Sequence, residues 1–189
     1  FHPLSTPTAD GRLRIDFLDV GQGDAALVTF PDGKTLLVDG GGRINYRIAE
    51  DGEVPFVRDV RGIGEAVVSE FLWYRGLSRV DHILATHADA DHIQGLTDVA
   101  KNFQIGSAVF GRMPSEDPDY ADLAEVLRRR RISSTNIFRG DVLQFGDVSV
   151  EVLYPPASDD LYAVLANDNS IVLRIIYGNR KFLLTGDIE

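Results

Sequence analysis

Four potential metal ligands lie within six residues in the middle of the chain, in the run Thr86-His87-Ala88-Asp89-Ala90-Asp91-His92. An apolar segment, 80–85, precedes it directly and has the composition of a buried strand. Alternate side chains of an extended backbone point to one side, so His87, Asp89 and Asp91 can converge, and His92 can join them if a helix begins there. A loop in which Asp89 or Asp91 only caps the next helix is the alternative, but a cap does not require two histidines and two aspartates. The run therefore predicts a metal site.

Composition limits how such a metal could be held. The 189 residues include no cysteine, which leaves histidine, carboxylate, amide and water as ligands. The formal net charge of −10 argues against a protein that coats nucleic acid through its overall field. A basic cluster at 128–131 is either the solvated end of a helix or a phosphate contact, and the sequence leaves both open. No apolar run approaches the roughly 18 to 20 residues of a membrane helix, so we expect no membrane insertion by this segment.

The apolar periodicity predicts strands at both ends of the chain and alternating helices and strands between them. The first three strands, at 13–17, 25–30 and 35–38, predict an antiparallel meander. Four more are predicted at 141–145, 148–154, 171–177 and 181–185. From residue 59 the pattern turns helical, with Ile63, Val67, Phe71 and Tyr74 on one face. This order predicts an α/β fold with helices on the outer faces of its sheets.

Three motifs in a fixed order resemble the metallo-β-lactamase superfamily. The pattern His-x-Asp-x-Asp-His after a strand is similar to the family signature His-x-His-x-Asp-His, with Asp89 in the position of a histidine. Residues 36–41, Leu-Leu-Val-Asp-Gly-Gly, resemble its first block, and residues 182–187, Phe-Leu-Leu-Thr-Gly-Asp, resemble the strand that delivers its bridging aspartate. The resemblance implies an αββα four-layer sandwich with the metal centre at one edge between the two sheets.

Residues 17–25, 86–95 and 167–187 together resemble the soluble domain of ComEC-type competence proteins. We therefore expect an N-terminal extension at 1–12 and a metallo-β-lactamase-like domain at 13–189, whose C-terminal part lies beyond residue 189. In that family the domain belongs to a membrane protein that imports DNA, and it is thought to act as a metal-dependent nuclease. The resemblance implies DNA as the substrate, the membrane channel portion of a parent protein as the partner, and the periplasmic or extracellular face of the membrane as the location.

Carried over residue by residue, the resemblance assigns His87 and Asp89 to one metal and Asp91 and His92 to a second, with Asp187 bridging both. Asp91 and Asp187 become the catalytic candidates, because two metals so placed could share a hydroxide nucleophile and offset charge on a phosphodiester. The chain departs from the family pattern in having no histidine after His92. An oxygen-rich ligand set suits harder ions, so the predicted cofactors are two divalent ions per site, with Mn²⁺ favoured and Zn²⁺ or Mg²⁺ as the alternatives.

Four further residues are candidates for supporting the metal ligands or contacting the substrate: Asp24, Asp39, Asp168 and Ser170. Asp39 either supports the metal loop through hydrogen bonds or belongs to an ordinary turn before three glycines. The resemblance places Asp24 near the site. Asp168 and Ser170 precede the strand that leads to Asp187, which makes them candidate contacts to metal or substrate.

Three functions remain open at the level of sequence. The first is a metal-dependent phosphodiesterase that degrades DNA during DNA uptake. The second is a catalytically degenerate domain that binds DNA or a partner, which the missing histidines favour. The third is a hydrolase of a small ester or thioester, because one fold serves many chemistries.

Overall fold

The computed structural model describes residues 9–42, 62–157 and 169–188. Its first sheet has six strands in the spatial order β1 to β6: β1 (Arg14–Phe17), β2 (Ala26–Thr29), β3 (Thr35–Val38), β4 (Arg79–Ala85), β5 (Gln104–Phe110) and β6 (Ser133–Asn136). The first three form the predicted antiparallel meander. From β3 onward the pairing is parallel, so the carboxyl ends of β3, β4 and β5 lie at the same edge of the sheet.

Helices connect the parallel strands and cover one face of this sheet. A π-helical stretch, Gly64–Ser69, continues directly into α1 (Glu70–Tyr74); it is followed by α2 (Ala90–Asn102) and α3 (Pro118–Arg130). The Asp117 side chain caps α3 by accepting the backbone N–H of Tyr120. Within the described ranges, no helix has both the length and the apolar character to cross a membrane.

The second sheet is a four-stranded antiparallel sheet with the spatial order β10-β9-β8-β7. Its strands are β7 (Val142–Phe145), β8 (Val148–Tyr154), β9 (Val172–Tyr177) and β10 (Arg180–Leu184). It packs face to face on the first sheet. The described residues thus form three layers in the order helices, sheet, sheet.

Two hydrophobic cores lie between these layers. The core between the helices and the first sheet includes Leu37, Ile83, Leu96 and Phe103. The core between the two sheets includes Leu36, Leu84, Val150 and Leu173. Neighbouring residues such as Leu36 and Leu37 point into different cores, which explains why the central strands are apolar at successive positions and do not alternate with polar residues.

The helical segment before β4 buries a different face from the predicted one, and Ile63, Val67 and Phe71 are only half-buried. Val68 and Leu72 are fully buried, whereas Tyr74 is 77% exposed. A π-helical stretch pairs each residue with the fifth one along and so rotates the residues that follow it relative to a regular α-helix. The prediction that Tyr74 shares one face with Ile63, Val67 and Phe71 was therefore wrong, because those three pack against the core and Tyr74 does not.

The basic cluster at 128–131 has structural partners. Arg128 and Arg129 both pair with the exposed Glu125 on the same helix. Arg130 donates to the backbone carbonyls of Ala100, Lys101 (3.1 Å) and Phe103 (2.7 Å), and so satisfies the end of α2. The cluster was interpreted either as the end of a helix or as a phosphate contact. The contacts of these three side chains fit the end of a helix.

Candidate metal centre

The candidate site lies where the ends of three strands meet at one edge of the two sheets. Asp39 follows β3, the segment 86–89 follows β4, and Asp187 follows β10. The carbonyl of Thr86 accepts the N–H of Ile171, which ties the end of β4 to the second sheet. The parallel pairing of β3 with β4 brings Asp39 and Thr86 together although they are 47 residues apart.

A buried hydrogen-bond relay determines which nitrogen of His87 carries the proton. Asp39 accepts the Thr86 N–H at Oδ1 (2.8 Å) and the Thr86 hydroxyl at Oδ2 (2.7 Å). A carboxylate can only accept, so the single hydroxyl hydrogen of Thr86 is committed to Asp39. The Thr86 Oγ1, 2.9 Å from His87 Nδ1, must then accept from that nitrogen. His87 therefore carries its hydrogen on Nδ1 and leaves the Nε2 lone pair free.

His92, in the first turn of α2, is held by the same carboxylate. Its Nδ1 donates to Asp39 Oδ2 at 3.1 Å. The rings of His87 and His92 lie 4.2 Å apart between centroids, and neither buried Nε2 atom has a hydrogen-bond partner among the described residues. Orphaned buried nitrogens of this kind are costly unless something else binds them.

A carboxylate completes a cluster with the two free imidazole nitrogens. Asp187 Oδ2 lies 3.3 Å from His92 Nε2 and Asp89 Oδ2 lies 3.7 Å from His87 Nε2; both are ion-pair contacts without hydrogen-bond geometry. Ligand atoms of His87, His92 and Asp187 all lie within 4.8 Å of one another. Two unpartnered imidazole nitrogens facing a carboxylate are ligands that fit a divalent cation.

Electrostatics at the site favour a positive charge. Burial alone would lower the pKa of His92, but the hydrogen bond to Asp39 and the charges of Asp39 and Asp187 raise it to about 9. Burial and the neighbouring His92 lower the pKa of His87. Partial burial, together with the charges of Asp39 and Asp187, raises the pKa of Asp24. A bound cation would take the place of the proton on His92 and relieve the repulsion among these carboxylates.

The remaining predicted residues lie at different distances from this cluster. Asp89 is next to His87, whereas Asp91 is half-buried in the first turn of α2 and is not part of the three-residue cluster. Ser170 is fully buried, and its Oγ accepts the N–H of Asp187 at 3.3 Å, so it positions the Asp187 loop. Asp168 lies outside the described residues. The division of these ligands between two metals stays a prediction.

Two contributions to the site were not predicted from the sequence. The first is the role of Thr86, whose partner Asp39 is distant in the chain. The second is close backbone packing: a Cβ on Gly23 would lie 1.8 Å from the Asp91 carbonyl oxygen, and one on Gly42 would lie 1.8 Å from that of Ala90. The glycine-rich loops before β2 and after β3 thus press directly against the start of α2. The clustered glycines of these loops were the only feature of the sequence that indicated this close packing.

The layered fold and the ligand cluster at its edge define a metallo-β-lactamase-type domain. Residues 18–189 match the family model of the metallo-beta-lactamase superfamily, and the chain belongs to that family. The predicted fold class is confirmed by this match, and the described residues form three of its four predicted layers, one layer of helices and the two sheets.

The resemblance to ComEC-type proteins is also confirmed. ComE operon protein 3 of Bacillus subtilis (strain 168) is 30% identical over 186 residues, which cover 97% of this chain and 23% of that protein. The chain thus spans less than a quarter of the length of this curated relative.

Solved structures share the fold at low sequence identity. MEM-A1, a subclass B3 metallo-beta-lactamase from a soil metagenome library, has a TM-score of 0.53 and 15% identity, covering 95% of this chain and 60% of that one. CmlA, a diiron beta-hydroxylase from Streptomyces venezuelae, has a TM-score of 0.50 and 20% identity, covering 95% of this chain and 30% of that one. At these identities the likeness shows the fold alone.

Proposed function

We propose that this chain is a metal-dependent phosphodiesterase that degrades DNA during DNA uptake. The observation that carries the proposal is the pair of buried, unpartnered Nε2 atoms of His87 and His92 facing Asp187. The similarity to ComE operon protein 3 supports a role in competence. Within a ComEC-type parent, the domain would act beside the membrane channel portion, at the periplasmic or extracellular face.

In this proposal His87 and Asp89 would hold one divalent ion and Asp91 and His92 a second, with Asp187 as a ligand shared by both, as the resemblance implies; the proximity of His87, His92 and Asp187 supports it. When bound, such ions activate water and offset the charge that builds on a phosphodiester. The Asp39 and Thr86 relay keeps both imidazoles in the tautomer that presents Nε2. Ser170 fixes the backbone of Asp187 through its N–H. These residues hold the ligands in place before the substrate arrives, so reorganisation during the reaction is small.

The donor set favours ions that accept both nitrogen and oxygen. Two imidazoles with three nearby carboxylates form a set that is harder than a histidine-only zinc site. Mn²⁺ is therefore the proposed ion, and Zn²⁺ or Mg²⁺ are the alternatives to be compared with it.

The test is hydrolysis of single- and double-stranded DNA by the chain loaded in turn with Mn²⁺, Zn²⁺ and Mg²⁺. We expect cleavage that is strongest with Mn²⁺ and that falls by about a hundredfold or more in His87→Ala and Asp91→Ala. Asp32→Asn, which changes an exposed turn residue, is the matched control and should keep full activity.

Intact DNA at full metal occupancy contradicts the proposal. DNA binding that persists in chelator without cleavage would instead favour a catalytically degenerate binding domain. Turnover of a thioester without action on DNA would favour a small-ester hydrolase.

A further inference from the structure

An apolar cleft opens beside the candidate metal centre, where the two sheets separate at their edge. Its volume is about 120 Å³. Ala26, Val38 and Leu184 contribute to its apolar lining, and its inner end reaches Asp39 and Thr86 of the relay that holds the histidines. The cleft is therefore continuous with the site at which a metal-bound phosphate would lie.

Phe17 stands at the mouth of this cleft with 72% of its surface exposed. It is the last residue of β1 and pairs with Ala26, so it points to the same face of the sheet as the inter-sheet core. Leu183, 57% exposed, lies in the strand on the other side of the cleft. Single exposed apolar residues are common, but an exposed aromatic ring at the entrance of a cleft that leads to metal ligands is placed to contact a substrate.

The charges around the cleft indicate which part of a substrate it accepts. The ionisable side chains among its described lining residues are Asp24 and Asp39, both acidic. A phosphate would be repelled by these groups, whereas a neutral planar ring would not. Asp39 already accepts three hydrogen bonds and the single hydroxyl hydrogen of Thr86 is committed to Asp39, so neither side chain can donate a hydrogen bond to the polar edge of a base.

We propose that the cleft holds the nucleobase next to the scissile phosphate, stacked on Phe17, and that the substrate is therefore single-stranded nucleic acid with little sequence preference. This inference rests on the proposed phosphodiesterase function. Aromatic stacking tolerates any base because every base has a π-face. A duplex would have to lose a base from its stack to fill the cleft, which favours unpaired strands.

Direct contact is tested with a tryptophan placed at the cleft. The chain has a single tryptophan, Trp73, whose ring contacts Phe103 on the helical side of the first sheet. A Phe17→Trp, Trp73→Phe double variant moves the only tryptophan to the cleft mouth. With Zn²⁺ bound, a d¹⁰ ion without redox chemistry, we expect saturable fluorescence quenching by a short phosphorothioate oligothymidylate. An abasic oligonucleotide of the same length, and the natural chain with Trp73 alone, should show little quenching.

The kinetic consequence is tested with Phe17→Ala. Loss of stacking should raise the KM for single-stranded DNA by on the order of tenfold to a hundredfold while kcat changes little, because the ring contacts ground state and transition state alike. Phe17→Tyr should restore the natural KM. Tyr74→Ala removes an equally exposed aromatic residue on α1 and is the matched control.

Two outcomes would overturn the inference, and both differ from failure of the proposed function. If the natural chain cleaves DNA and Phe17→Ala has an unchanged KM, the stacking site is contradicted while the phosphodiesterase proposal stands. Equal quenching by abasic and base-containing oligonucleotides also contradicts it. Absence of DNA cleavage by the natural chain refutes the phosphodiesterase proposal, whatever the fluorescence quenching of the tryptophan variant shows.

Discussion

Asp39 connects the two buried histidines of the candidate site. Its buried carboxylate accepts from the Thr86 N–H, the Thr86 hydroxyl and His92 Nδ1, and through Thr86 it also orients His87. Its backbone adopts a left-handed conformation with φ of 56°, which aspartate and asparagine tolerate better than most residues. One side chain thus determines the tautomer of both imidazoles.

We predict that Asp39→Asn weakens metal binding by about tenfold to a hundredfold without unfolding the chain. Asparagine fits the same backbone conformation, but its amide brings donor hydrogens to a place where Asp39 only accepts. Calorimetric titration with Zn²⁺ or Mn²⁺ measures the change in Kd, with Asp32→Asn as the exposed control. Unchanged affinity would show that the relay does not govern the ligands.

The strand β4, which delivers the metal motif, is held to β3 by a second carboxylate. Asp81 Oδ2 accepts the Thr35 N–H at 3.0 Å, and its Oδ1 accepts Arg79 Nε at 2.9 Å. Burial acts to raise the pKa of Asp81, but the bonds from Arg79 and Thr35 outweigh it and hold the pKa below its ordinary value of 3.8. Because the folded state lowers this pKa, the ionised carboxylate stabilises the fold above pH 3.8, and the contribution is lost as pH falls through the lower value.

We predict that Asp81→Asn lowers the free energy of unfolding by about 1 kcal/mol at neutral pH. The difference from the natural chain should shrink between neutral pH and a pH well below 3.8, as the natural carboxyl is also protonated. Urea denaturation at both pH values measures it, and Asp147→Asn in an exposed hairpin turn is the control. A difference that persists unchanged in acid would exclude the ionised carboxylate as its source.

The helix α2 approaches the loop after β3 so closely that only glycine fits between them. Gly95 donates its N–H to the Gly41 carbonyl at 2.8 Å, and Gly40 donates to the His92 carbonyl at 2.8 Å. A Cβ on Gly95 would lie 1.8 Å from the Gly40 carbonyl oxygen, and that atom is backbone and cannot swing away. The position of His92 relative to Asp39 thus depends on glycine at these sites.

We predict that Gly95→Ala destabilises the fold by about 3 kcal/mol or more, because overpacking here displaces a whole helix. Gly178→Ala is the control: it has open space around it and only an unfavourable φ of 56°, so it should cost about 1 to 2 kcal/mol. Chemical denaturation compares the two. Because Gly95 lies within α2 and is not among the glycines with a positive φ, a cost no larger than that of Gly178→Ala would contradict the close helix approach as the source of the requirement.

At the scale of the whole molecule, the candidate metal centre connects the two sheets, so metal binding should stabilise the entire fold. We predict that an ion present at about a hundred times its Kd adds about 2.7 kcal/mol, a rise in Tm of roughly 5 to 10 °C for a chain of this size. Thermal denaturation with Mn²⁺, Zn²⁺ and Mg²⁺, reversed by chelator, measures the shift. His87→Ala should lose most of it; an equal shift in that variant would place the ion elsewhere.

Much of the fold could be predicted from the sequence because most strands carry apolar residues that fill one or two cores. The exception is β6, Ser133–Asn136, whose four side chains are all polar and exposed. It is held by parallel pairing with β5, which leaves no mark in its own composition. The π-helical stretch before α1 was also not predicted from the sequence. It turns Tyr74 away from the predicted face, so that its side chain is exposed.

The site was predictable where its ligands are close in sequence and where a family motif could be matched. His87 and His92 came from a local run, and Asp187 came from the resemblance. The relay through Thr86 was not predicted, because a hydroxyl has no recognisable role until the fold brings Asp39 beside it. Long-range hydrogen bonds of this kind depend on strand pairing, which a local pattern does not encode.

The described ligands lie after β4 of the first sheet, in the first turn of α2 and after β10 of the second sheet. Loop-closure entropy makes such distant pairings late events in folding, so the complete ligand cluster exists only once both sheets have assembled. An ion bound there can contribute little to the folding rate, but it must be released before the sheets separate. The centre would therefore lengthen the lifetime of the folded domain, a form of kinetic stability that is set by the unfolding rate.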